Sequence, residues 1–478
     1  MSAKIRFLLN GLQEIAVAAA PDLTVLQWLR LHRRLTGTKE GCAEGDCGAC
    51  TVALADARGG SLVWSAANAC IMLVGQLHGR MLVTVEGIAD GETLHPVQSA
   101  MVQHHASQCG YCTPGFVMSL FAAWRGGAAQ DVDAIHDAIA GNLCRCTGYR
   151  PIVAAAEDAM AQPRTDRFDA MAPGIVARLT AIAEDGPLAC ATPDGKYLAP
   201  TTRTGLAAAL NADPSARIVA GGTDLGLDVT KRRRRQPSLI SVNAVRELKR
   251  IEKREGALVI GAAVTYAEAL PYLASIDPSI EVLLRRLGSA QIRTLGTIGG
   301  NLANASPIGD TPPFLIALGA SVIIRGARGE REVPLDEFFT GYRMTALAKG
   351  EFIDRIAVPL PDASTFVRVD KVSRRFDQDI SAVCGAIAFR RDDGMVKAPR
   401  IAFGGMAAAP ERARLAERAL EGAPLTRDAF EAAASALASD FKPIDDFRAS
   451  AAYRLRVAQN LMRRWFLAAS GELQEAAE

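Results

Sequence analysis

The 478-residue sequence predicts an α+β multidomain protein, and three observations carry that prediction. Residues 4–90 alternate apolar and polar positions in short runs, residues 91–160 switch to apolar positions at helical spacing, and residues 196–365 alternate strand and helix signals before a strand-then-helix tail. A chain this long exceeds one core and divides into several. Apolar residues make up 49% and charged residues 22%, and the net charge of +2 points to no nucleic-acid or acidic partner. No apolar run reaches the length of a membrane span, and Met1-Ser2-Ala3-Lys4 leads into a strand pattern without a signal-peptide core, so a cytoplasmic protein with no membrane association is expected. Ten cysteines in a reducing compartment are metal ligands or buried thiols before they are disulfides, and eight fall within the first 150 residues. Cys190 and Cys384 stand alone and read as buried spare thiols.

Within residues 1–90, Ile5, Phe7 and Leu9 alternate into Asn10-Gly11, a favoured hairpin turn, and Ile15, Val17 and Ala19 alternate on the return. Asp22 precedes a helical repeat through Val25, Leu26 and Leu29. Next comes Gly41-Cys42-Ala43-Glu44-Gly45-Asp46-Cys47-Gly48-Ala49-Cys50, with Cys70 further on. Cys-x4-Cys-x2-Cys with a later fourth cysteine is the plant-type spacing for a [2Fe–2S] cluster. Gly41, Gly45 and Gly48 let the loop wrap closely, its N–H groups toward the sulfurs. Zinc is the rival for four cysteines, but structural zinc takes two short knuckles, whereas three ligands here share one Gly-rich loop.

Residues 91–162 predict four short helices, Val97 to His105, Phe116 to Trp124, Val132 to Ala140 and Ile152 to Met160. Cys109/Cys112 and Cys144/Cys146 precede the second and fourth, each followed by Thr and Pro as at a helix start (Thr113-Pro114, and Thr147 then Pro151). Unpaired N–H groups and the positive dipole end at a helix start favour an anionic, thiolate-held cluster. Cys-x2-Cys with Cys-x-Cys is an unusual zinc spacing, so a second [2Fe–2S] cluster is preferred. His104-His105 reads as a helix end or surface feature.

Five prolines between 161 and 200 (163, 173, 187, 193 and 200) predict a linker over residues 163–195 without a long regular element. Arg217 to Ala220 then reads as a strand entering Gly221-Gly222-Thr223-Asp224-Leu225-Gly226, where paired glycines can present N–H groups to a phosphate or form a plain tight turn. A second Gly-rich stretch, Leu295 to Leu302 followed by Ala305 to Asp310, raises the case for a dinucleotide. Neither stretch matches a Rossmann fingerprint or a phosphate loop ending in Gly-Lys-Ser/Thr. Lys231 to Arg235 reads as a solvated face. Residues 366–478 predict strands at Phe366–Val372, Ala382–Phe389 and Arg400–Gly404, then a long helix over Ser450–Ala469 with Leu455, Ala458, Leu461, Met462 and Trp465 on one stripe.

The Cys42–Cys50 loop, Gln108-Cys109-Gly110-Tyr111-Cys112-Thr113-Pro114-Gly115, and Asn142-Leu143-Cys144-Arg145-Cys146-Thr147-Gly148-Tyr149-Arg150-Pro151-Ile152 together resemble the iron–sulfur region of the xanthine dehydrogenase/aldehyde oxidase family of molybdenum hydroxylases. The resemblance continues through both Gly-rich stretches. It implies a β-grasp plant-type ferredoxin domain (1–90), a four-helix [2Fe–2S] bundle (91–162), a two-part α+β FAD-binding domain (196–365) and an α/β C-terminal domain (366–478) similar to carbon monoxide dehydrogenase flavoproteins. It implies that Cys42, Cys47, Cys50 and Cys70 hold the cluster nearer the flavin, that Cys109, Cys112, Cys144 and Cys146 hold the one nearer a molybdenum cofactor, and that Gln108 approaches the pterin. The FAD pyrophosphate would lie on Val219, Ala220, Gly221, Gly222, Thr223 and Asp224, flanked by Ile218 and Leu225. Further flavin contacts would come from Leu287, Thr297, Ile298, Gly299, Gly300, Asn301, Asp310, Ile353 and Lys371. Relatives carry a Gly-Asn-Thr-Glu type loop where this chain has Gly221-Gly222-Thr223-Asp224, which changes individual hydrogen bonds.

By the same resemblance the chain carries no catalytic residue of its own. It would be an electron-transfer subunit, taking electrons from purine hydroxylation (hypoxanthine and xanthine to urate) on a molybdopterin-binding large subunit, in a heterotetramer of two of each. Two [2Fe–2S] clusters would pass them to FAD and then to NAD. Fused members carry a long molybdopterin-binding region not found in this sequence, hence the expected partner. Other substrates (an aldehyde, an N-heterocycle, an aromatic acyl-CoA), oxygen as acceptor, or a non-catalytic redox sensor fit the same residues.

Overall fold

A computed structural model of the chain describes residues 3–127 and 131–473. Met1 and Ser2 of the N-terminal reading lie outside the described residues, as do 474–478. The fold is α+β throughout, and the chain divides into two compact units, one of residues 1–246 with 288–296 and the other of 247–287 with 297–478.

In the first unit β1 (Ile5–Leu9) and β2 (Gln13–Val17) form the expected hairpin, with Asn10 and Gly11 at φ of +51° and +122°. A short α1 (Val25–Gln27), capped by Thr24, precedes the cysteine loop, and β3 (Thr51–Arg58), β4 (Ser61–Asn68) and β5 (Met81–Val83) follow. The sheet order is β2-β1-β5-β3-β4, with β1 and β5 parallel and the other pairs antiparallel, which is the β-grasp arrangement. Alternation sends Phe7, Leu9, Val52 and Leu54 into a core with Val25 and Trp28, and Leu8, Ala53, Ala55 and Met81 into a second core shared with the helices. Both faces are therefore covered.

The helices run α2 (Pro96–Gln103), α3 (Thr113–Gly126), α4 (Val132–Ile139) and α5 (Arg150–Ala161). Every residue of α3 from Gly115 to Trp124 is buried, as befits the central helix of a bundle.

The expected linker is corrected by α6 (Arg167–Glu184), an 18-residue helix with Pro173 inside it. An interior proline costs about 3 kcal/mol. Against that stand the Asp166 cap, with Asp169 completing a capping box, and the buried stripe Phe168, Ile175, Leu179 and Ile182, at roughly 2 kcal/mol per side chain. Burial wins, and helical spacing (7, 4 and 3 positions) was the better guide than proline content. The 195/196 boundary is corrected too, because β6 (Leu188–Thr192) and β7 (Gly195–Ala199) pair across it. With α7 (Arg203–Ala212), β8 (Arg217–Val219), α8 (Leu225–Thr230) and β9 (Ser238–Ser241) they build a sheet ordered β6-β7-β9-β8, parallel from β7 onward.

The second unit opens with β10 (Ile251–Arg254), β11 (Ala257–Gly261), α9 (Tyr266–Ala274) and α10 (Pro278–Arg285). The chain returns to the first unit for α11 (Ala290–Arg293). It then continues through α12 (Ile298–Asn304), α13 (Thr311–Ala317), β12 (Ser321–Gly326), β13 (Gly329–Pro334), α14 (Leu335–Phe338), the small pair β14 (Phe339–Gly341) and β15 (Met344–Thr345), and β16 (Phe352–Pro359). An antiparallel sheet, β10-β11-β16-β12-β13, carries this half. A second antiparallel sheet joins β17 (Thr365–Val372), β18 (Val383–Asp392), β19 (Met395–Gly404) and β20 (Glu411–Arg412), followed by α15 (Arg414–Leu420), α16 (Arg427–Asp440) and α17 (Ala451–Ser470). Ser450 caps α17, whose stripe of Ala458, Leu461, Met462 and Trp465 is buried in the local core, with Leu455 packed at its margin. Among the described residues no helix is long and apolar enough to cross a membrane.

Candidate redox-cofactor sites

All ten cysteines are free thiols. Cys42 lies within hydrogen-bonding reach of Cys47 and Cys70, and Cys50 of Cys70, so the first four cysteines meet as expected from their spacing. The loop that carries them closes tightly. A Cβ on Gly41 would stand 2.7 Å from Cys47 Sγ, and one on Gly48, at φ +67°, 2.3 Å from the Gly141 carbonyl. Backbone N–H groups of Glu44, Asp46 and Cys47 donate to Cys42 Sγ at 3.4, 3.3 and 3.4 Å, and Asn68 Nδ2 donates to Cys50 Sγ at 3.9 Å. These donors are what a thiolate requires.

The second four meet at the starts of α3 and α5. Cys112 reaches Cys144, and Cys109 reaches Cys146. Pro114 and Pro151 occupy the first turns of the two helices. Thr147 donates to Cys144 Sγ from its hydroxyl at 3.1 Å and its amide at 3.4 Å. Cys109 and Cys146 are exposed, as is the neighbouring Gln108.

Within most of these pairs one thiol is pushed down and its partner up. Hydrogen bonding from Cys47 lowers Cys42 while Cys42 raises Cys47, and hydrogen bonding from Cys70 lowers Cys50, which with Cys42 raises Cys70. Burial, reinforced by Cys144, pushes Cys112 up to about 12. Burial acts to raise Cys144, but hydrogen bonds from the Thr147 hydroxyl and amide, the Cys146 amide and Cys112 together hold that thiol low. Metal binding would require these thiols to give up their protons. Among the described residues no three His, Cys, Asp or Glu side chains gather as for a single ion. The first four thiols form one connected run and the second four meet as Cys112 with Cys144 and Cys109 with Cys146, and a two-iron centre is held by four cysteines, so both donor sets fit it.

The flavin candidates fall in both units. In the first, β8 delivers Val219 into Ala220-Gly221-Gly222, where Gly222 holds φ +76° and a Cβ on Gly221 would stand 2.1 Å from the Leu295 carbonyl. Gln76 Nε2 donates to the carbonyls of Ala220 and Gly221 at 3.2 and 3.0 Å, and Asn243 Nδ2 to that of Ala220 at 3.0 Å. Thr223 and Asp224 lead into α8, Leu225 is buried and Ile218 is exposed.

In the second unit Thr297 caps α12, its Oγ1 accepting from the Gly300 amide at 3.0 Å, while Ile298 enters the core and Gly299 packs against Ala262. Asn301 Oδ1 accepts from Thr311 at 2.5 Å. Asp310 is nearly buried and paired with Lys371 Nζ at 2.7 Å and Ser381 Oγ at 2.5 Å, and Lys371 also donates to the Arg286 carbonyl, next to Leu287. Asn301, Asp310, Lys371 and Leu287 thus share one polar neighbourhood, whereas Ile353 is a core residue of β16. Burial and the Asp310 charge push the Tyr266 hydroxyl up beside Asn301. Gln76, Asn243, Ser381, Arg286 and Tyr266 carried no motif and were not singled out from the sequence.

Other readings of single features hold. His104 ends α2 and faces Asp158 at 3.2 Å, and Cys190 and Cys384 are buried. Lys231 to Arg235 are all exposed, with Arg232 paired to Asp228 and Arg235 to Asp22 and Asp194.

Comparison with known proteins places most of the chain in known domains. Residues 84–157 match a [2Fe-2S] binding domain, 192–361 the FAD binding domain in molybdopterin dehydrogenase, and 368–469 the CO dehydrogenase flavoprotein C-terminal domain. In tandem, these domains define an iron–sulfur flavoprotein. The solved structure of carbon monoxide dehydrogenase from Hydrogenophaga pseudoflava, in a form lacking the Mo-pyranopterin moiety of the molybdenum cofactor, is 31% identical with a TM-score of 0.56, covering 59% of this chain and 100% of that one. Quinoline 2-oxidoreductase from Pseudomonas putida 86 is 30% identical with a TM-score of 0.53, covering 58% and 98%. Xanthine dehydrogenases of Emericella nidulans and Drosophila subobscura are each 31% identical, over 91% and 98% of this chain but only 36% and 39% of their own length. The chain belongs to the xanthine dehydrogenase/aldehyde oxidase family of molybdenum hydroxylases.

Proposed function

We propose that this chain is the iron–sulfur/FAD subunit of a cytoplasmic xanthine dehydrogenase, assembled with a molybdopterin-binding large subunit as a heterotetramer of two of each. The observation that carries the reading is the presence of two separate thiol quartets beside an FAD-binding domain. In this reading Cys42, Cys47, Cys50 and Cys70 hold one [2Fe–2S] cluster and Cys109, Cys112, Cys144 and Cys146 a second, with Gln108 at the surface next to the latter. Residues 218–225 and Thr297–Asn301, with Leu287, Asp310, Ile353 and Lys371, hold FAD. When bound, the clusters carry single electrons and the flavin takes two for hydride transfer to NAD. The protein's own part is to supply thiolates, to aim amides and hydroxyls at the sulfurs, and to keep Asp310 paired with Lys371.

The purine assignment draws support from relatives bearing the name xanthine dehydrogenase. A second reading keeps the relay and changes the substrate, favoured by the likeness to a carbon monoxide dehydrogenase and a quinoline oxidoreductase at similar identity. Metal and flavin analysis with electron paramagnetic resonance of the reduced chain tests the relay. Iron, flavin and two distinct [2Fe–2S] signals are expected, and stoichiometric zinc or a single signal would defeat it. Stopped-flow spectra of the assembled complex with xanthine, then NAD, test substrate and acceptor. Inactivity on purines with turnover of an aldehyde or N-heterocycle would select the second reading, and a flavin inert to NADH would point to a sensor.

A further inference from the structure

The two quartets are joined by a short bridge inside the first unit. The Leu143 amide donates to the Cys47 carbonyl at 3.0 Å, so a single hydrogen bond connects the residue preceding Cys144 with a first-quartet cysteine. Asn142 Nδ2 donates to the Gly48 carbonyl at 3.1 Å, and α3 closes from the other side, where a Cβ on Gly115 would meet that carbonyl at 2.2 Å. The geometry of the bridge is set by buried polar groups. Ser119 Oγ donates to Asn142 Oδ1 at 2.6 Å, and Thr51 Oγ1 to the Gly48 carbonyl at 2.6 Å.

Gln291, far away in sequence on α11, reaches into this cluster. Its side chain is 0% exposed, and Nε2 lies 3.1 Å from Thr51 Oγ1, 3.0 Å from Ser119 Oγ and 3.0 Å from Asn142 Oδ1. Its Oε1 is buried without a hydrogen-bond partner and would stand 2.0 Å from a Cβ on Gly141, so only glycine fits between Gln291 and Asn142. An unpaired buried carbonyl is a net cost, because the water it gave up on folding is not replaced. A methionine or leucine of similar volume would fill the space without that cost, so packing alone does not account for the carboxamide.

We infer that Gln291 is a positioning residue for electron passage between the two quartets: by fixing Asn142, Ser119 and Thr51 together it holds the Cys47 carbonyl on the Leu143 amide. This rests on the reading of both quartets as [2Fe–2S] centres. With both quartets loaded, this hydrogen bond would offer a one-electron path from Cys144 through the Leu143 backbone to Cys47, with no covalent bond or proton changed.

The test uses the full chain with cofactors, comparing unaltered protein with Gln291→Met, which keeps volume and removes the amide. Arg293→Gln, which breaks the Arg293–Asp137 pair on the same short helix, is the control for loosening α11 alone. In Gln291→Met, iron content and both paramagnetic signals persist. Exchange of the Leu143 amide rises about tenfold, the factor a single buried hydrogen bond gives to a local opening, and electron redistribution between the two signals after flash reduction slows. Arg293→Gln changes neither. Unchanged exchange or redistribution in Gln291→Met, or equal changes in Arg293→Gln, overturns the role of Gln291 and leaves the relay standing. Fewer than two signals in the unaltered protein overturns both.

Discussion

The two quartets each bring four thiols together and are built in opposite ways. The first is made largely by one loop, with Cys50 and Cys70 buried in the core that also holds Trp28 and Leu73, and its Cys42 sulfur is met by three main-chain amides. The second is made by two helix starts, with Cys109 and Cys146 exposed, and its Cys144 sulfur is met by the hydroxyl and amide of Thr147 together with the Cys146 amide. A centre supported by the main chain and a core cannot be lost without disturbing the domain. One supported by a side chain at the surface can be removed or tuned nearly in isolation.

Replacing one ligand in each quartet gives the widest separation. Cys70→Ser is expected to halve the iron and to lower the stability of the first unit by on the order of 4 kcal/mol, because a core position and a centre are lost together. Cys146→Ser should halve the iron with little change in melting. Equal melting losses in calorimetry would erase the contrast. Next comes Gly48→Ala. A side chain there must hold φ +67° and stand 2.3 Å from the Gly141 carbonyl, so a loss of about 3 kcal/mol is expected, read by denaturant unfolding of the iron-loaded chain.

How much of this was legible beforehand follows the same division. The cysteine spacings, the glycines of the first loop and the helix-start pattern after each second-quartet pair are local signals, and the structure puts each thiol beside its expected partners. The hairpin at Asn10-Gly11 and the stripe of α17 were local too. What the sequence hid was long-range. Gln291 contacts Thr51, Ser119 and Asn142 across at least 149 positions, and Gln76 meets Ala220 across 144; no periodicity marks a side chain whose role is set by a distant partner. The α6 error had another origin. Proline content predicts a break, whereas the Phe168, Ile175, Leu179 and Ile182 stripe supplies more than Pro173 removes.

The more exposed quartet should tolerate what the more buried one does not. Gly110 holds φ +81°, and a Cβ there would meet nothing within 4 Å, so Gly110→Ala should cost only the left-handed backbone penalty, about 1 kcal/mol, with both paramagnetic signals retained. A cost matching that of Gly48→Ala would mean the second loop is as tightly held as the first.

The smallest effect is the most specific. Thr147→Val keeps the shape and removes the hydroxyl that donates to Cys144 Sγ at 3.1 Å, leaving the amide at 3.4 Å in place. A reduced cluster carries one more negative charge and is stabilised more by a donor than the oxidised form, so losing the donor makes reduction harder. The expected shift is about 30 mV to more negative potential, the one-electron equivalent of a hydrogen bond worth roughly 0.7 kcal/mol. It should appear in the signal of the second quartet only, followed by redox titration under electron paramagnetic resonance. A shift of both signals would show that the hydroxyl acts through the fold, and a shift of the first alone would reverse the assignment of the two signals to the two quartets.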